Sequence, residues 1–192
     1  MIRSAVPEDA PEAVPLIVEA IGSIALVLTG TQVLWEAIPI LEQFFREPAN
    51  RVSYQNTQVM EDSEATAGPI RKIVGITVSY DGSVARKLDE PMEKAASLRS
   101  GLSDYKIPTE AEPDEFYLDT VSVDPGCQGR GFGRQLIEAL YERGRQLGHN
   151  RIGLLVDVVN PAAMRLYERL QFRVDKRRHL AGAEYFHMVR DL

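Results

Sequence analysis

Only one cysteine, Cys127, and three histidines occur in the 192 residues. A single thiol excludes a disulfide framework and any multi-cysteine zinc or iron–sulfur site, and it favours a reducing, cytoplasmic compartment. His149, His179 and His187 are scattered without ligand spacing, so no metal is expected. Long apolar runs are missing too. The longest, Leu16 to Leu28, carries Glu19 and is interrupted by Gly22 and Ser23, short of the roughly 20 apolar residues a membrane-spanning helix needs. The start of the chain has Arg3 alone before Glu8 and Asp9, without the basic region of a secretory signal. A soluble, cytoplasmic protein with no membrane partner is expected. No internal repeat or low-complexity tract is visible.

The composition, 44% hydrophobic and 26% charged, is that of an ordinary globular protein. A chain this long can bury roughly 70% of its unfolded surface and folds without staples. The net charge of −6 is uneven: residues 1–124 hold 10 Lys/Arg against 21 Asp/Glu, a balance of −11, and residues 125–192 hold 12 against 7, a balance of +5. An acidic whole is a poor general nucleic-acid binder. Its basic end could still hold a compact polyanion.

Along the chain, Ile2 to Ala5 reads as a strand, Glu8 to Leu28 as a helix with Pro11 and Pro15 in its first turns, and Thr31 to Phe45 as a second helix. Val52 to Met60 and the β-branched Ile70 to Tyr80 read as strands. Residues 81–113 break the rhythm with prolines and charges, and a helix is expected at Pro91 to Arg99. Then regular alternation begins. Phe116 to Val123 is a strand, Gly131 to Leu147 a helix stopped by Gly148, and Ile152 to Val158 a strand buried on both faces. Asn160-Pro161 opens another helix as N-cap and first residue, and strands Phe172 to Leu180 and Glu184 to Val189 close the chain around Ala181-Gly182. The expectation is one α/β domain over residues 1–192 with a mixed sheet and an insertion at 81–113.

Chemistry concentrates at Val121-Ser-Val-Asp-Pro-Gly-Cys-Gln-Gly-Arg-Gly-Phe-Gly133. A strand runs into a glycine-rich loop and then a helix, whose free amides and positive dipole end suit an anion. Glycines let the backbone approach phosphate oxygens, and Arg130 and Arg134 add charge. Gly126 and Gly131 have the spacing of a nucleotide triphosphate loop, but Phe132-Gly133 stands where Lys and Ser/Thr are needed. A dinucleotide fingerprint begun at Gly129-Arg-Gly131 would want glycine at Arg134. Both nucleotide readings fail on those residues. A second strand-to-helix junction follows, where Tyr167 stands seven residues after Asn160, two turns on and on the same side.

Taken together, Gln128-Gly-Arg-Gly-Phe-Gly133, the preceding Val121-Ser-Val-Asp-Pro125, and Asn160…Ala163…Leu166-Tyr167…Phe172 resemble the GNAT N-acetyltransferase superfamily, strongly over residues 116–190. One position departs: Gln171 stands where that family usually has glycine.

The resemblance implies a mixed, mostly antiparallel sheet with splayed central parallel strands and flanking helices. It implies acetyl-CoA as cosubstrate, no metal, and direct transfer of the acetyl group to a primary amine of a small molecule or a protein. A non-catalytic acyl-CoA sensor with the same fold is the alternative. By resemblance, the cofactor-binding residues are Val121, Val123, Gln128, Gly129, Arg130, Gly131, Phe132, Gly133, Arg134 and Asn160, and Tyr167 protonates the departing thiolate. The resemblance fixes no general base. Asp119 is the first candidate because Tyr117, Asp119 and Val121 should share one strand face, with Glu115 and Asp157 behind it. The implied partners are CoA and an amine acceptor, with a homodimer allowed and no nucleic acid. The acidic half, including Glu36, Glu42, Asp89, Glu90 and Glu93, would steer a cationic amine. Trp35 is expected in a helix–helix contact or a pocket wall, and Cys127 is a bystander in the loop.

Overall fold

The computed structural model describes residues 1–62, 72–180 and 182–192. The start of the strand expected from Ile70, and Ala181 of the closing turn, lie outside them. Seven strands form one sheet: β1 (Ile2–Ser4), β2 (Thr57–Asp62), β3 (Lys72–Asp81), β4 (Phe116–Val123), β5 (Arg151–Asp157), β6 (Arg173–Leu180) and β7 (Ala183–Asp191). Their order is β1-β2-β3-β4-β5-β7-β6. Among the described residues only β4 and β5 pair in parallel, because α5 (Phe132–Gln146) connects them as a crossover. The expected mixed, mostly antiparallel α/β architecture is what the chain forms.

Among the described residues, six α-helices cover the two faces. Three of them, α1 (Ala10–Ile21), α2 (Ile24–Thr29) and α3 (Leu34–Arg46), join α4 (Ala85–Ser100) on one face. There Ile17, Leu28, Leu41, Phe45 and Met92 pack against Ile73, Ile76 and Val78. On the other face, α5 and α6 (Pro161–Arg169) pack Ile137, Leu140 and Tyr167 against Phe116, Leu118, Ile152 and Leu154. Each such apolar side chain buried contributes roughly 1.5–3 kcal/mol. Among the described residues, no helix is long and apolar enough to cross a membrane.

The helix expected from Glu8 to Leu28 is two. Gly22 takes φ 52° and ψ −122°, a conformation open to glycine alone, and α2 restarts two residues later. The helix in 81–113 is longer than expected. It begins at Ala85 and carries Pro91 inside, and its Met92 and Ala96, with Ile107 beyond it, are buried in the core. Trp35 is 72% exposed, so neither expected contact forms.

Where α6 ends, Gln171 sits at φ 67°. Its amide donates to the Glu168 carbonyl, and the Phe172 amide donates to the Tyr167 carbonyl. This is the Schellman arrangement, in which the left-handed residue prefers glycine. The accompanying apolar contact is the edge-on meeting of the Phe172 and Tyr167 rings at 5.6 Å. A side chain at that φ costs roughly 1 kcal/mol. Gln171→Gly is therefore expected to raise stability by about 1 kcal/mol, read as a higher urea midpoint at unchanged slope. A midpoint at or below that of the parent would contradict the assignment of strain.

Candidate functional site

The central pair of strands parts early. Only Phe116, Tyr117 and Leu118 of β4 pair with β5, against Ile152, Gly153 and Leu154. Beyond that point β4 stays with β3 as far as Val123, and β5 stays with β7 as far as Asp157. Their inner edges thus face each other without a strand between. The cause lies in β4: Thr120 opposes Val78 and Leu118 opposes Ser79, so Asp119 is an extra residue with no opposite number. Such a bulge bends its strand and increases the local twist. A cleft of about 840 Å³ opens in the gap, with Val121, Val123, Gln128, Asn160, Tyr167 and Asp119 among its lining residues.

The bulge overturns the expectation that Tyr117, Asp119 and Val121 share a face. Tyr117 packs beside Tyr80 and Ala85 on the α4 side. Val121, one register step displaced, packs with the clusters under α5 and α6. A one-residue slip moves every later side chain to the opposite face.

After β4, the Asp124 carboxylate accepts from the Gly126 amide at 2.9 Å and from Lys72 at 2.5 Å, folding the turn. The Gln128 side-chain amide donates to the Val123 carbonyl at 3.1 Å. Gly129 and Gly131 have φ of 76° and 80°, and Gly131 caps α5 without any side-chain bond. The first amides of α5, at Phe132, Gly133 and Arg134, therefore stand at an uncapped helix start with the positive dipole end behind them. A Cβ at Gly129 or Gly131 would meet nothing within 4 Å, so backbone conformation rather than crowding calls for glycine there.

The two arginines of this loop are engaged elsewhere. Arg130 bonds Asp62 at 2.6 Å and lies over the Phe132 ring at 4.6 Å. Both line a separate depression of about 410 Å³ with Ile2 and Met60. Arg134 is exposed and bonds Glu138 at 2.7 Å. Cys127 is buried in the same loop.

Across the gap, the Asn160 side-chain oxygen accepts from the Ala163 amide at 3.0 Å and caps α6. Its amide nitrogen has no partner among the described residues. Tyr167, two turns on, is 9% exposed, and burial pushes its hydroxyl pKa up to about 12. Among the described residues that hydroxyl has no hydrogen-bond partner, although it borders the cleft.

Asp119 stands in a network that the sequence did not disclose. The Arg51 guanidinium, 3% exposed, bonds Asp119 at 2.5 Å, Glu110 at 2.8 Å and Asp89 at 3.5 Å. Tyr80 donates to Asp119 at 2.7 Å and Tyr117 donates to Glu110 at 2.9 Å. Burial alone would lower the Arg51 pKa, but Asp119 and Glu110 hold it well above its ordinary value. Asp89 is pushed up to about 7, by burial first, against the lowering effect of Arg51. Glu110 borders the cleft. It falls in the stretch 81–113, where no periodicity marked it, and Arg51 lies in a turn before β2. Glu115 is fully buried against His187 at 3.1 Å and does not reach the cleft. Asp157 does border it, with one oxygen taken by the Val159 amide.

Residues 86–172 match the model of the Acetyltransferase (GNAT) family. Over 83 residues, 41% of this chain, the sequence is 39% identical to N-alpha-acetyltransferase RimI of Mycobacterium tuberculosis, covering 51% of that protein. The chain spans about half or less of the length of the curated relatives it matches. Among solved structures, one described as an acetyltransferase is 31% identical with a TM-score of 0.78, covering 100% of this chain and 98% of the other. An N-acetyltransferase from Staphylococcus aureus Mu50 is 25% identical with a TM-score of 0.79, covering 99% and 100%.

Proposed function

We propose that this chain, which belongs to the GNAT acetyltransferase family, moves an acetyl group from acetyl-CoA to a primary amine of a small molecule or a protein, by direct attack of the amine. The observation that carries this reading is the parting of β4 from β5, with an uncapped helix start on one side of the gap and, on the other, a phenol unpartnered among the described residues.

The residues present fit the cosubstrate. The turn from Gln128 to Arg134 has left-handed glycines and open space, so its amides would hold the diphosphate. Arg130 and Arg134, already bonded to carboxylates, would add field rather than direct contacts. The unpaired edge of β4 at Val121 and Val123 would bind the pantetheine arm as an added strand does, and the free amide nitrogen of Asn160 would bond it from the other side. A backbone amide near Val121 would polarise the thioester carbonyl, an interaction worth roughly 3 kcal/mol where charge develops. Tyr167 would donate to the leaving sulfur. The reading places the chain in the cytoplasm, where Cys127 stays a thiol.

Thiol release from acetyl-CoA across a panel of small amines and peptides with free α-amino groups tests the proposal. At least one acceptor is expected to give turnover and a stoichiometric acetylated product. Tight binding of CoA with no turnover for any acceptor would favour the sensor reading. No binding of CoA would remove both.

A further inference from the structure

We infer that Glu110 receives the ammonium group of the acceptor and takes the proton that its nitrogen must lose, with Arg51 as the residue that positions the carboxylate. The inference rests on the acetyl-transfer reading and names the acceptor class for it, a cationic primary amine.

Asp119 keeps a single lone-pair site, on the oxygen that Thr120 bonds. One of its oxygens accepts from two nitrogens of Arg51 and from Tyr80, and the other from Thr120. Glu110 carries one donor on each oxygen, Arg51 on one and Tyr117 on the other. A carboxylate offers about four lone-pair sites, so each Glu110 oxygen keeps one for a ligand. Its side chain is 17% exposed against 6% for Asp119, and the space it borders is the cleft. Position agrees with this. Tyr117 and Arg51 fix Glu110 on the α4 face of the sheet, whereas Tyr167 lies on the α6 face. An amine beside Glu110 and a sulfur beside Tyr167 would thus meet through the parted strands from opposite sides. The charge suits a cation, since a single guanidinium faces Glu110, Asp119 and Asp89.

The step balances as follows. The ammonium proton passes to the Glu110 carboxylate, a transfer that low polarity favours because two charges become none. The nitrogen lone pair forms a C–N bond at the thioester carbon, and collapse breaks the C–S bond. As the C–S bond breaks, the sulfur takes the Tyr167 proton while that hydroxyl regains one from the new amide nitrogen, so no free tyrosinate forms, and Glu110 releases its proton to water. One proton leaves per turnover.

The test is the pH profile of Glu110→Gln with the best amine of the panel. The groups facing Glu110 are Arg51, Asp89, Asp119, Tyr80, Tyr117 and Tyr185, and all stay in place. We expect kcat to fall about 100-fold and KM for the amine to rise. KM for acetyl-CoA should change less than about twofold, because Glu110 does not touch the cofactor side. The acid limb of kcat/KM should disappear, which a merely structural role would not cause. Glu110→Asp, which keeps a carboxylate, should restore the limb at reduced kcat, and it serves alone if the glutamine variant does not fold. An active wild type beside a Gln variant with unchanged kcat and an unchanged profile would overturn the inference while acetyl transfer stands. Wild type inert toward every amine would remove both.

Discussion

Deleting one oxygen, in Tyr167→Phe, is expected to lower kcat by about 100-fold or more while the fold and the affinity for CoA stay as they are. Stability should hold because the hydroxyl bonds nothing within the described residues, so no protein group loses a partner. The ring keeps its edge contact with Phe172. Burial holds the phenol at about 12, so it stays protonated throughout the working range and no basic limb below about pH 11 should come from it. A thiol near 8.5 is the stronger acid, and complete early transfer from such a phenol would cost roughly 5 kcal/mol. Its contribution is therefore a hydrogen bond that strengthens as the sulfur leaves. Single-turnover rates with saturating acetyl-CoA, beside calorimetric titration with CoA, check the prediction. A fall in CoA affinity matching the fall in rate would assign Tyr167 to binding rather than to proton donation.

The sequence made one half of this site legible and left the other dark, for a physical reason. The strand–loop–helix from Val121 to Arg134 and the junction at Asn160 are local structures: glycines set their φ, a cap sets a helix start, and the spacing of Tyr167 follows from helical pitch. Such features are written in adjacent residues. The bulge at Asp119 is not, since nothing in Phe116 to Val123 marks which residue lacks an opposite number. The Arg51 network is less local still. It joins residues 51, 89, 110 and 119 from four separate segments, so no window of the chain contains it. Only tertiary pairing assembles it. The departure at Gln171, by contrast, was readable as a single position and takes the left-handed φ of 67° that the motif requires.

Arg51→Met carries the largest expected effect on stability. The guanidinium is 3% exposed and bonds three carboxylates, two of them at most 6% exposed. Removing one member of a buried ionic group leaves the others desolvated and uncompensated, which costs about 3–5 kcal/mol. Methionine replaces part of the volume, so a cavity adds little. The sign of the pH dependence follows from the charges left behind. In the parent, burial already holds Asp89 at about 7, above the unfolded value near 3.9. That single group stabilises the fold fully below about pH 4, and its contribution is lost as pH rises through 7. Without Arg51, the Asp119 and Glu110 carboxylates lose their nearest cation and face Asp89 uncompensated. The deficit of the variant should thus be greatest at pH 8, where Asp89 is charged beside the other two carboxylates, and shrink on acidification through 7 as Asp89 is neutralised. Adding Asp119→Asn should recover part of it at pH 8. Urea midpoints at pH 5 and 8 for the two variants and the parent decide this. A deficit equal at both pH values would mean that Arg51 acts by packing its stem and not by its charge.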